Sequence, residues 1–149
     1  MLVPFDPKGE KGIAAFGRLH ATQSDRNTID FYADGGVNVS GFWSARPDDT
    51  ISVGLGYARI SAAARGFDQD TASFGTPTAI RSYEAVLEAT YSAQIARGWT
   101  VQPDFQYIVH PGGGATDPNS ASGRRIPDAF VFGVRMTVQW GARDQNSLQ

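Results

Sequence analysis

Residues Trp99 to Gly114 read "WTVQPDFQYIVHPGGG". The odd positions Trp99, Val101, Pro103, Phe105, Tyr107 and Val109 are apolar or aromatic, and the even positions Thr100, Gln102, Asp104, Gln106 and His110 are polar, with Ile108 the exception. Successive side chains of a strand point to opposite faces, so this alternation predicts a long strand with one aromatic side and one wet side. Soluble strands average about five or six residues and rarely hold an interior proline. Pro103 lies close to the short-turn end of this strand, where a bulge would absorb its missing N–H.

Five further segments repeat the period. Gly12 to Thr22 sets Ile13, Ala15, Leu19 and Ala21 against Arg18, His20 and Thr22. Ile29 to Trp43 sets Phe31, Ala33, Val37, Val39 and Trp43 against Asp30, Tyr32, Asp34, Asn38 and Ser40. Thr50 to Ala58 sets Ile51, Val53, Leu55 and Tyr57 against Ser52, Gly54, Gly56 and Ala58. Ser82 to Ile95 sets Tyr83, Ala85, Leu87, Ala89, Tyr91, Ala93 and Ile95 against Glu84, Glu88, Thr90, Ser92 and Gln94, with Val86 out of pattern. Asp128 to Trp140 sets Phe130, Phe132, Val134, Met136, Val138 and Trp140 against Gly133, Arg135, Thr137 and Gln139. Taken alone, Ser82 to Ile95 reads equally as a helix, because Glu, Ala, Leu and Gln favour helices. Its five neighbours tip it toward strand.

The connections differ in length. "SARPDD" and "ARG" are short, whereas "RISAAARGFDQDTASFGTPTAIR" and "HPGGGATDPNSASGRRIP" are long and share one side of an up-and-down sheet. "QSDRN" shares that side but is short. Short turns on one rim and long loops on the other, with strands of about 9–11 residues, are the pattern of transmembrane barrels. Trp43, Trp99 and Trp140 all fall at the short-turn end of their strands. Tryptophan favours a membrane–water boundary because its ring is apolar and its N–H is not. On this reading the apolar faces meet lipid and the polar faces meet water.

Composition agrees with a single unit. The chain has 149 residues, a formal net charge of −2 and no cysteine, which gives no basis for a nucleic-acid partner, a disulfide or a thiolate metal site. Mean hydropathy is −0.29, as expected where alternate residues hide an apolar face inside a polar mean. "MLVPFDPKGEKG" lacks the basic start and apolar core of a signal peptide, so the expectation is either a cytoplasmic chain or a natural N-terminus lying further upstream.

Three stretches carry a family likeness: "FYADGGVNVSGFWSARPDDTISVGLGYARIS", "YEAVLEATYSAQIARGWTVQPDFQYIVHPGG" and "DAFVFGVRMTVQW". From Lys11 to Trp140 the sequence resembles the C-terminal part of the carbohydrate-selective outer-membrane porins of the OprB type. The resemblance implies an all-β, antiparallel up-and-down transmembrane β-barrel of sixteen strands in the Gram-negative outer membrane, with sugars as solutes, lipid around it and a homotrimer as a possible assembly. This chain would supply the last six strands or so over residues 12–140, after the end of a loop at residues 1–11 and before a polar tail at 141–149. Six strands are too few to close, since about eight make the smallest barrel. The polar tail after Trp140 departs from the family, whose last strand ends in a terminal aromatic.

The pore lining expected from the alternation is Arg18, His20, Asp30, Tyr32, Asp34, Glu84, Glu88, Gln102, Asp104, Gln106 and Arg135. Such residues offer hydroxyl-bearing solutes donors, acceptors and a ring to stack on, and Tyr32 between Asp30 and Asp34, opposite Arg18, is the leading sugar contact. Pairing of acids with arginines to hold the barrel's shape is the competing role for each. No catalytic, metal or cofactor site is expected. Glu84 and Glu88 on one strand stand about 13–14 Å apart, beyond the ~5–9.5 Å of a glycosidase pair. His20 and His110 lack metal-ligand spacing, "GLGYAR" lacks the third glycine of a dinucleotide fingerprint, and "HPGGG" lacks the Gly-Lys-Ser/Thr of a phosphate loop. Two alternatives stay open: a soluble β-domain that binds a ligand on its aromatic face, and a truncated product without transport activity.

Overall fold

A computed structural model describes residues 3–140. The strands are β1 (Val3–Pro4), β2 (Gly12–Ala21), β3 (Ile29–Ser40), β4 (Thr50–Ile60), β5 (Tyr83–Ala96), β6 (Trp99–Val109) and β7 (Ala129–Val138), and one helix, α1 (Ala62–Ser73), lies between β4 and β5. The strands form one antiparallel sheet in chain order, β1 to β7. All six strands expected from the period are present, Ser82 to Ile95 among them. The two-residue β1 is an addition, pairing Val3 with Ile13 inside a segment expected to be loop.

Registers keep the two faces intact across the sheet. Val37 pairs with Val53, Val53 with Ala89, Ala89 with Phe105, and Phe105 with Phe132, so one face is apolar from β3 to β7. The opposite face runs Asn38, Ser52, Thr90, Asp104 along the same line. Nothing among the described residues packs over the apolar face. Leu19, Phe132 and Val134 are 79%, 82% and 74% exposed, and Ile60 and Ala93 are the buried apolar residues. A water-soluble sheet buries one face against a second layer; this one has its apolar side open.

The rims differ as their sequences predict. Arg97 and Gly98 alone join β5 to β6. Gly98 has φ +76°, and a Cβ there would lie 2.6 Å from the Gln139 carbonyl oxygen, so the turn needs glycine twice over. The β3–β4 connection is fastened by Asp49, 1% exposed. Its carboxylate accepts from Arg46 Nε at 2.7 Å, from the Gln94 N–H at 2.9 Å and from the Tyr91 hydroxyl. The Arg46 guanidinium holds the Asp49 carboxyl down to about 2, helped by Tyr91 and the Gln94 N–H and opposed by burial.

At the other rim the two long connections fold together. Ser61 caps α1 by accepting the Ala64 N–H at 3.2 Å. Asp68, buried, takes Arg81 Nη2 at 2.8 Å and the Arg81 N–H at 3.0 Å, which pins α1 to the chain entering β5. The Ser82 N–H donates to the Gly113 carbonyl at 2.7 Å, and Arg125 Nη2 to the Ile80 carbonyl at 2.6 Å. Sequence periodicity assigned this whole region to loop, so α1 is a correction. Pro103 also differs from expectation: the register is the same at Thr90↔Asp104 and Ala93↔Val101 on either side of it, and the irregularity of this strand pair lies at Gln94/Ala96 instead. The strand thus loses one N–H without bulging.

Candidate functional site

The polar face is the candidate site, and register decides what meets on it. Arg18 pairs with Asp34 and His20 with Tyr32. The Arg18 Nε lies 3.0 and 3.1 Å from the two Asp34 oxygens and its Nη2 2.9 Å from one of them, a forked ion pair across β2 and β3. Gln106 Nε2 donates to Glu88 at 2.8 Å across β5 and β6. Glu88, Gln102, Asp104, Gln106 and Arg135 line a single polar hollow of about 160 Å³ together with Thr90. Asp104 reaches into the space over Gly133, where a Cβ would collide with its carboxylate.

A second hollow, of about 220 Å³, adjoins it through Glu88 and is lined by Tyr32 and Asp34. It also contains Phe16, which is not among the residues expected from the alternation. Phe16 sits on the polar side of β2, in register with Gly36. The signal was its even position between Ala14 and Arg18, a place where the period calls for a polar residue.

Four expected residues stand outside these hollows, the first being Arg18, which is paired with Asp34. Asp30 falls in a bulge between Ile29 and Phe31. Its carboxylate takes Arg59 Nε at 2.8 Å, and that guanidinium lies 5.6 Å over the Phe31 ring, on the apolar side near the long-loop rim. The bulge breaks the alternation from which an inward Asp30 was expected. Glu84 accepts the Gly112 N–H at 2.6 Å and so draws the turn Pro111–Gly114 over the polar face. His20 is exposed near the end of β2. Glu84 and Glu88 hold separate partners on one strand, as the rise per residue requires. Among the described residues no group of three or more His, Asp or Glu could hold a metal ion.

The apolar face is banded. Trp43, Trp99 and Trp140 lie at the short-turn rim. At the long-loop rim the rings of Phe31, Tyr57 and Tyr83 follow one another at centroid distances of 6.4 and 5.4 Å, and Tyr107 stacks on Phe130 at 4.7 Å. Between the two aromatic bands lie the aliphatic side chains of Val37, Val53, Leu55, Leu87 and Val134, with Phe105 and Phe132 in the same row as Val37 and Val53. Two aromatic girdles flanking an aliphatic belt is the outer surface of a transmembrane barrel. No described helix is long and apolar enough to cross a membrane.

Comparison with known proteins agrees with this arrangement. The chain is 31% identical over 115 residues to Porin B of Pseudomonas aeruginosa, a match covering 69% of this chain and 24% of that protein. It superposes on the high-pH structure of Pseudomonas putida OprB with a TM-score of 0.77 at 21% identity, covering 92% of this chain and 32% of the other. The chain therefore spans about a quarter of the curated relative and a third of the solved one. The family described as carbohydrate-selective porin, OprB family, matches residues 1–140. With a sheet banded outside, polar inside and matched along nearly its whole length, the chain belongs to the OprB family of carbohydrate-selective porins.

Proposed function

We propose that this chain forms part of the wall of an outer-membrane pore through which sugars diffuse passively. The observation that carries the reading is the separation of the faces: six wet side chains gathered in one hollow on one side, and an open apolar belt between two aromatic girdles on the other. Lipid covers the belt. The strands close with further strands into a barrel, because open sheet edges in lipid leave backbone groups unpaired at a cost of several kcal/mol each. The rim carrying α1 and the long connections faces the exterior, and the rim of short turns faces the periplasm, as is usual for such barrels.

In the pore, solutes exchange hydration for weak, multiple hydrogen bonds. The amides of Gln102 and Gln106 and the carboxylates of Glu88 and Asp104 accept and donate without a single tight site, which keeps binding weak enough for release. Arg135, in register with Gln102, and Arg18 supply the positive charge on this face. The test is liposome swelling with the complete protein that carries this chain. The expected result is swelling in monosaccharides that slows as solute size rises. Swelling no faster than in empty liposomes would overturn the reading.

A further inference from the structure

We infer that Phe16 and Tyr32 form a ring-stacking subsite for pyranose sugars over a floor of glycines, an inference that rests on the sugar-diffusion reading. Phe16 projects from the wet face of the sheet and is 49% exposed. Its row continues through Gly36 and Gly54 before a side chain returns at Glu88. A Cβ on Gly36 would stand 2.9 Å from Phe16 Cε1 and 2.7 Å from the Val53 carbonyl oxygen, so the Phe16 ring lies down on bare backbone. In the next row a Cβ on Gly56 would stand 3.7 Å from the Tyr32 hydroxyl, so Tyr32 leans over a second bare position.

The result is a hollow with aromatic and polar walls. Asp34 and Glu88 share it with the two rings, and each carboxylate is held by one partner, Arg18 and Gln106 respectively. A carboxylate has about four lone-pair sites, so acceptor capacity remains on both. A pyranose offers a flat apolar C–H face and a rim of hydroxyl donors. Its face matches an exposed ring and its hydroxyls match two pre-oriented carboxylates. An open-chain alditol has the same hydroxyls but no flat face.

The purely structural alternative is that the rings only shield glycine backbone from water. Permeability of the complete reconstituted protein to glucose and to sorbitol separates the two roles, with KCl conductance reporting that the barrel is open. The wild type should pass glucose in preference to sorbitol. Phe16→Leu, which still covers Gly36, should cut that preference by about threefold or more, the scale of one lost aromatic contact, and Phe16→Tyr should keep it. Tyr32→Leu should act in the same direction and decides the matter if Phe16→Leu closes the barrel. Equal passage of glucose and sorbitol by the wild type, or an unchanged ratio in the leucine variants, overturns the subsite and leaves sugar diffusion standing. A wild type that passes neither solute overturns both.

Discussion

Val86 and Ile108, the two apolar residues that interrupt the polar faces of their strands, are register partners across β5 and β6. The sequence shows two unrelated exceptions; the sheet makes them one contact. Their row continues from Gly56 to Val86 and from Ile108 to Ala129. They separate Glu84, which holds Gly112, from Glu88, which holds Gln106. A β-branched cross-strand pair is worth about 0.2–1 kcal/mol over alanines, and here it keeps two carboxylates in separate networks.

Face assignment is testable by charge. Leu55→Arg places a guanidinium in the middle of the aliphatic belt, and should cost about 2–4 kcal/mol of folding in lipid. Thr90→Arg, on the polar face at a similar depth, should be tolerated. The fraction folded after assembly into vesicles, read as the heat-modifiable band on a gel, checks both. Equal tolerance of the two would mean that lipid does not cover the belt.

Arg135 shares its hollow with Glu88 and Asp104. Arg135→Ala leaves two carboxylates without that positive neighbour, so the reversal potential in a KCl gradient should move toward cation selectivity. Relative swelling rates among sugars should change with it. Unchanged rates for every sugar would assign Arg135 to barrel shape alone.

Acid should loosen the short-turn rim. Asp49 is held at about 2 in the folded chain against an ordinary 3.8. A carboxyl whose folded value is depressed contributes stability that is complete above its unfolded value and is lost as pH falls through the folded one. The β3–β4 connection should therefore weaken between about pH 4 and pH 2, followed as loss of amide-exchange protection at Gly41, whose N–H donates to the Asp49 carbonyl. In Asp49→Asn that acid-dependent step should disappear, and the melting temperature at neutral pH should fall.

The Arg97–Gly98 turn gives a stability prediction. A residue other than glycine at φ +76° is strained, and its Cβ would press on the Gln139 carbonyl 2.6 Å away. Gly98→Ala should cost about 1–3 kcal/mol, measured by urea titration of the vesicle-bound protein. Asn, which tolerates a left-handed backbone, would relieve only the first of these two problems.

Period two made most of the sheet legible, because it depends only on the direction of successive side chains. It left Ser82 to Ile95 even between helix and strand, and the five neighbouring strands tipped that segment correctly to strand. It failed where the backbone departs from strict alternation. The bulge at Ile29/Phe31 carries Asp30 to Arg59, and no composition signal marks it. α1 did have a local mark, Ser61 ahead of three alanines, but turn-like residues downstream masked it. The Asp68–Arg81 pair that fixes α1 is tertiary and lies beyond any local pattern. Phe16 was visible as a breach of the period, and only register with Gly36 gave it meaning.

Alternation along β2 to β7, interrupted at Ile29/Phe31 and Gln94/Ala96, makes the chain behave like a text read in frames of two. Deleting one residue from the middle of β6 would turn Gln102, Asp104 or Gln106 to the apolar side of the sheet and bring Phe105 or Tyr107 to the polar side, inverting part of a strand with almost no change of composition. The same deletion between Asp117 and Gly123, within a long connection, leaves every strand in frame. Changes in length can thus accumulate at the rim bearing α1, while the two-residue turn at Arg97–Gly98 admits almost none. The polar face and the long connections occupy separate parts of the sequence, linked where Glu84 accepts the Gly112 N–H.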